Sequence, residues 1–127
     1  MAVIKSFRDL KVYQLALSEA RKIFLVTKGF PREEMYSLTD QIRRASRAVG
    51  AMLAEGWARR RYQAAFINKV NESLDEAMET QAWLDHALVC EYIDQRQHRE
   101  LDDAWQHIGA MLNRMIDRAD DFCKSAS

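Results

Sequence analysis

Apolar side chains recur along this chain at three- and four-residue intervals, the spacing that lines one face of an α-helix. Leu10, Tyr13, Ala16, Leu17, Ala20, Ile23 and Phe24 form the first stripe, behind a Ser6 and Asp9 pair with capping-box spacing, and predict a helix over about 7–27. Gly29 suits a left-handed helix end and Pro31 cannot continue a helix, so Lys28 to Met35 reads as a connection. Ser37 and Asp40 repeat the capping spacing ahead of Leu38, Ile42, Ala45, Val49, Met52 or Leu53, and Gly56, a second stripe over about 37–57. The third, Phe66, Val70, Leu74, Ala77, Gln81, Leu84 and Leu88, is apolar except at Gln81 and falls within about 61–93. No proline separates these two, so Gly56 and the arginines after it place the turn. Leu101, Ala104, Trp105, Ile108, Met111, Leu112, Met115, Ala119 and Phe122 predict a fourth helix over about 97–123. Four amphipathic helices with short links imply an all-α, antiparallel up-down four-helix bundle, a single domain over 1–127. The tail Lys124 to Ser127 is expected to fray.

Composition agrees with few, long helices: one proline and four glycines leave long stretches without a breaker. The chain has 19 basic and 19 acidic residues, and this neutrality counts against an extended nucleic-acid surface. It does not exclude a local one, because the acids concentrate late in the chain while the arginines crowd its middle. With neither a signal peptide nor a membrane-length apolar run, a soluble cytoplasmic protein is expected. Cys90 and Cys123 lack metal-ligand spacing and read as reduced structural thiols. No nucleophile elbow, phosphate loop, dinucleotide glycine motif or zinc pattern occurs, so no catalytic residue, cofactor or metal is expected and an enzyme is not the reading.

The informative stretch is Gln41 to Arg61, where an apolar stripe runs beside two arginine clusters. Arg43, Arg44 and Arg47 share one side of a helix, and guanidinium forks match phosphate oxygens. The competing use is pairing with acids such as Glu34, Asp40, Glu76 or Glu79, and Glu55 is expected to pair with Arg43 or Arg44. Arg59, Arg60 and Arg61, with Lys69 and a Tyr62 able to stack, make a denser cluster at the predicted turn, although such a run is often only a solvated face. Trp57, Trp83, Trp105, Tyr92, Met78 and Met35 supply more large apolar surface than one stripe per helix takes in, so the tryptophans and Tyr62 are candidates for a subunit interface, with half-burial at helix edges as the alternative.

These residues also carry a family resemblance over nearly the whole chain. Phe7, Asp9, Leu10, Val12 and Ala16 open it; Phe30, Pro31, Glu34, Tyr36 and Leu38 follow; Gln41-Ile42-Arg43-Arg44-Ala45 and Ala54-Glu55-Gly56 form its centre. Glu79, Thr80, Trp83 and Leu84, then Tyr92 and Ile93, complete the order. The chain resembles the four-helix bundle family encoded in intervening sequences of bacterial 23S ribosomal RNA genes. It departs from the common pattern at Met52, where members carry a polar side chain, and at Arg59-Arg60-Arg61-Tyr62, which makes a more basic turn. The resemblance implies a ring-like homo-oligomer, typically a pentamer, and no catalytic activity. It also implies kinship with the accessory variability proteins of diversity-generating retroelements, which bind nucleic acid and associate with a reverse transcriptase. A nucleic-acid-binding scaffold follows as the expectation, with a purely structural assembly, its arginines closing subunit interfaces, as the alternative.

Overall fold

In the computed structural model, residues 3–123 are described, and the Lys124 to Ser127 tail lies outside them. Four long helices, α1 Lys11–Thr27, α2 Leu38–Ala58, α3 Gln63–Val89 and α4 Gln95–Asp117, are followed by a short α5 Ala119–Phe122, with no strand among the described residues. The links 59–62 and 90–94 are too short to return a helix of this length to its start, so α2, α3 and α4 run antiparallel in turn. Thr27 at the end of α1 meets Arg43 near the start of α2, and Tyr13 near its start lies against Gly50 further along α2, so this pair is antiparallel too. α1 also packs on α4, which closes the four-helix bundle around one core. No helix among the described residues is long and apolar enough to cross a membrane.

Both ends of the predicted outer helices are interrupted. The Ser6 and Asp9 box forms, with Arg8 N–H donating to Ser6 Oγ at 3.2 Å and Ser6 N–H to Asp9 Oδ2 at 3.0 Å, but it caps a single 3-10 turn, Phe7–Asp9. Leu10 is extended (φ −67, ψ 125) and sinks its side chain into the core at 3% exposure, so α1 starts only after it. At the other end Arg118 (φ −110, ψ 33) breaks the fourth helix before Ala119.

The second predicted box does not form. Glu34 intercepts Ser37, whose hydroxyl donates to its Oε1 at 2.6 Å, and Tyr92 donates to Oε2 at 2.8 Å, tying the first connection to the α3–α4 turn. The two hydrogen bonds, Ser37's first, hold the Glu34 carboxyl below its usual range; donation to Glu34 pushes the Tyr92 hydroxyl up to about 12. A box that spacing arguments passed over does form at α4, where Asp94 accepts from Gln97 N–H at 2.8 Å and Gln97 returns the bond at 3.0 Å.

The core stripe of α3 keeps Phe66, Val70, Ala77 and Leu84 of the expected series but departs from it between them. Ser73 and Thr80 are fully buried at the positions where Leu74 and Gln81 were expected, and both of those lie half-exposed beside them. Each hydroxyl has a helical carbonyl to donate to: Ser73 reaches Val49 O on α2 at 2.8 Å, and Thr80 reaches Glu76 O at 2.9 Å. A satisfied hydroxyl can replace a methylene in a core, and apolar periodicity does not detect it.

α3 ends in a turn with Glu91 N–H donating to Leu88 O and Tyr92 N–H to Ala87 O, both at 2.9 Å. This crossed pair requires a left-handed residue, and here Glu91 takes it at φ 63. Glycine adopts that conformation without the Cβ strain. Glu91→Gly is therefore expected to stabilise the protein by about 1 kcal/mol, read as a higher urea midpoint with an unchanged slope. A lower midpoint would mean that the Glu91 side chain does something the turn needs.

Candidate nucleic-acid interface

α2 separates the two arginine clusters. Arg43 and Arg59 stand sixteen residues apart on one helix and its cap, roughly 24 Å along the axis, so the clusters occupy opposite ends of the bundle.

At the first end the expected common side splits. Arg43 turns toward α1, where its Nε donates to Thr27 Oγ1 at 2.8 Å and its guanidinium lies 4.8 Å from the Phe24 ring centre. Arg47, one turn on, lies 5.5 Å from the same ring, and Lys28 approaches it at 4.9 Å. Among the described residues no carboxylate comes within 4.0 Å of Lys28, Arg43 or Arg47. Arg44 points the other way and meets Asp40 at 3.7 Å, an exposed pair of small energetic weight. Arg44 and Arg47 both border a groove against α3 that holds Glu76 and Glu79, with neither carboxylate within ion-pair distance. Burial pushes the Glu76 carboxyl up, and the neighbouring Glu79 charge adds to the shift.

At the second end Arg59 and Arg61 are exposed with no carboxylate within 4.0 Å among the described residues, and Tyr62 is 66% exposed beside them. Arg60 is held: its guanidinium lies 3.6 Å from the Trp57 ring centre and its Nε donates to Trp57 O at 2.9 Å. Three site expectations change here. Lys69 is not a free cation, because its Nζ lies 3.0 Å from Glu72 Oε2 and 3.9 Å from Glu55 Oε2; the shorter approach is a charge contact without hydrogen-bond direction. Glu55 consequently belongs to Lys69 on α3, since Arg43 and Arg44 are about three turns away along α2. Trp57 is 9% exposed under Arg60, so it has little surface left for a partner subunit.

Trp105 is likewise corrected as an interface residue: it is fully buried at the centre of the protomer and has no face to present. Trp83 is half-exposed, with its indole N–H donating to Glu79 Oε1 at 3.1 Å. Gly56, expected at the turn, lies inside α2 and is buried against α3: a Cβ there would stand 3.2 Å from Lys69 Cβ. Cys90 is exposed at the end of α3 rather than a packed thiol; both cysteines are free.

Sequence reasoning missed two groups. Lys28 and Phe24 were one helical turn apart and signalled a shared face, but Lys28 was read as linker. Asp85 on α3 and His98 and Asp102 on α4 each place a ligand atom within 4.8 Å of the others, the set with metal-ligand spacing among the described residues. In the structure it is an interhelical hydrogen-bond network, with His98 Nε2 2.8 Å from Asp85 Oδ1 and Gln81 Nε2 donating to Asp102 Oδ1 at 3.1 Å. The His98-x-x-x-Asp102 spacing was visible, but its third member comes from another helix.

The chain belongs to the 23S rRNA-intervening sequence protein family, whose model matches residues 8–114. Among solved structures it is similar to a protein of unknown function from the S23 ribosomal protein family of Bacteroides thetaiotaomicron. The two are 29% identical over 84% of this chain and 95% of that one, with a TM-score of 0.75. No curated protein matches the chain.

Proposed function

We propose that this member of the 23S rRNA-intervening sequence protein family is a non-catalytic scaffold that binds RNA or DNA through arginines at the two ends of α2. The observation that carries the reading is that Arg43 and Arg47 at one end, and Arg59 and Arg61 at the other, have no carboxylate within 4.0 Å among the described residues of a chain of zero net charge. Arginines left unpaired in this way are available to phosphate oxygens. A ring-like, pentameric up-down bundle fits the reading, because each basic end then recurs around an axis and a neutral protomer contributes to a strong local field. Leu17, Met78 and Val89, at 60%, 59% and 81% exposure, supply apolar surface for such an assembly. The reverse transcriptase that the family resemblance implies is the protein partner in this reading, and the cytoplasm its compartment.

Binding of structured RNA and of duplex DNA should weaken steeply with salt. Arg59→Ala with Arg61→Ala should lower the slope of log affinity against log salt by about 2 for each protomer engaged on duplex DNA. Lys69→Ala should leave that slope alone, since Lys69 already serves Glu72 and Glu55. No binding at low salt, or an unchanged slope in the double variant, would sink the proposal. The partly buried seat of Arg43 on Thr27 favours a second reading, a structural assembly with Arg43 and Arg47 in subunit interfaces. Arg47→Ala lowering the mass in light scattering while nucleic-acid binding persists would select it.

A further inference from the structure

Where α1 ends and α2 begins, three cations gather on one aromatic ring with no anion among them. Lys28, Arg43 and Arg47 all lie within 5.5 Å of the Phe24 ring centre. Beside them opens a cleft of about 340 Å³, near the lower end of the range for small-ligand sites. Its charged lining is Lys28, Arg32 and Arg43, with no carboxylate. Thr39, in the first turn of α2, also lines it: this residue is 7% exposed and its hydroxyl has no hydrogen-bond partner among the described residues.

Like charges held together repel, and a buried hydroxyl without a partner forfeits a hydrogen bond it made in water. The Phe24 face offsets part of the repulsion but offers no counter-charge, and it gives Thr39 nothing to donate to. An anion rich in acceptor oxygens answers both deficits.

We infer that this cleft binds a phosphate monoester. Two or three converging cations favour a dianion over the single charge of a phosphodiester, and Phe30 and Met35 form an apolar wall for the organic group the phosphate carries. The site shares Arg43 with the nucleic-acid reading above but not Arg59 or Arg61, and it stands if that reading fails.

Titration of the full chain with inorganic phosphate, followed by NMR against chloride at fixed ionic strength, should give saturable shifts centred on Lys28, Thr39 and Arg43. Uridine 5′-monophosphate should bind at least tenfold more tightly than phosphate, and uridine should not compete. Lys28→Gln with Arg32→Gln alters two exposed side chains that the fold does not need, and should weaken both ligands at least tenfold. Arg59→Ala with Arg61→Ala should change neither. Thr39→Val should raise the Tm of the ligand-free protein while weakening phosphate binding, a pairing that a purely structural threonine would not produce. A 5′-phosphorylated oligonucleotide that outcompetes both its 5′-hydroxyl twin and uridine monophosphate here identifies the source as a nucleic-acid end; the reverse order identifies a free phosphorylated metabolite. Absence of saturable shifts at millimolar phosphate, or shifts that survive Lys28→Gln with Arg32→Gln, would overturn the assignment.

Discussion

Trp105→Ala is expected to destabilise the protein by about 3–5 kcal/mol, while Trp105→Phe stays within about 1 kcal/mol of the natural chain. The indole is fully buried on the inward face of α4, in line with Leu101, Ile108 and Leu112. Truncation to alanine removes the largest fully buried side chain and leaves a cavity the helices cannot close without leaving their packing. Phenylalanine loses less volume, and it also removes an indole N–H that has no hydrogen-bond partner. An orphaned buried donor costs about 1–3 kcal/mol, which offsets most of the lost packing. For a domain whose total stability is on the order of 5–15 kcal/mol, the alanine variant should melt some 10 °C or more below its parent. Equal losses for the two variants would show that the N–H is satisfied, by a buried water for instance, and the offset argument would fall.

Trp105 also shows where the sequence misleads about surface. Three tryptophans looked like more apolar area than a four-helix protomer could use, but the side-chain stripe of α4 places Trp105 at its very centre, and Arg60 lies across Trp57 as a lid. Periodicity located all four long helices because each stripe repeats many times, so a single misplaced residue changes little. It gave the helix ends less well, since those depend on one or two side-chain hydrogen bonds with competing partners. Ser37 could cap α2 or serve Glu34, and only the position of Tyr92, 58 residues beyond Glu34, tips the choice toward Glu34.

The arginines behaved differently. Their existence as two groups was legible, and helical spacing alone separates the groups by roughly 24 Å. Which members are free was not legible, because that depends on residues contributed by other helices. Phe24 and Thr27 of α1 position Arg43 without neutralising it, whereas Glu72 of α3 pairs with Lys69. The same limit hid Thr39, whose burial follows from the way the 31–37 connection folds over the end of α1 rather than from any pattern along α2.

Gly56 carries the second large expectation, and it bears on the basic turn as well as on stability. The residue sits in regular helix, where glycine is worse than alanine by about 1 kcal/mol, so Gly56→Ala gains that amount in helix propensity. The new Cβ would stand 3.2 Å from Lys69 Cβ, close to the α3 backbone, and a shift of a few tenths of an ångström consumes much of the gain. The alanine variant should therefore lie within about 1 kcal/mol of its parent. Gly56→Leu has no such compromise, because a full side chain at that tight contact must push α2 and α3 apart; a loss of about 3 kcal/mol or more is expected in urea unfolding. The separation would act one residue before Trp57, so the stack that holds Arg60 should loosen, read as a shift in tryptophan emission. If Gly56→Leu folds with parental stability and unchanged emission, α2 and α3 do not meet as closely as their geometry states. The placement of Arg59, Arg60 and Arg61 would then need another cause.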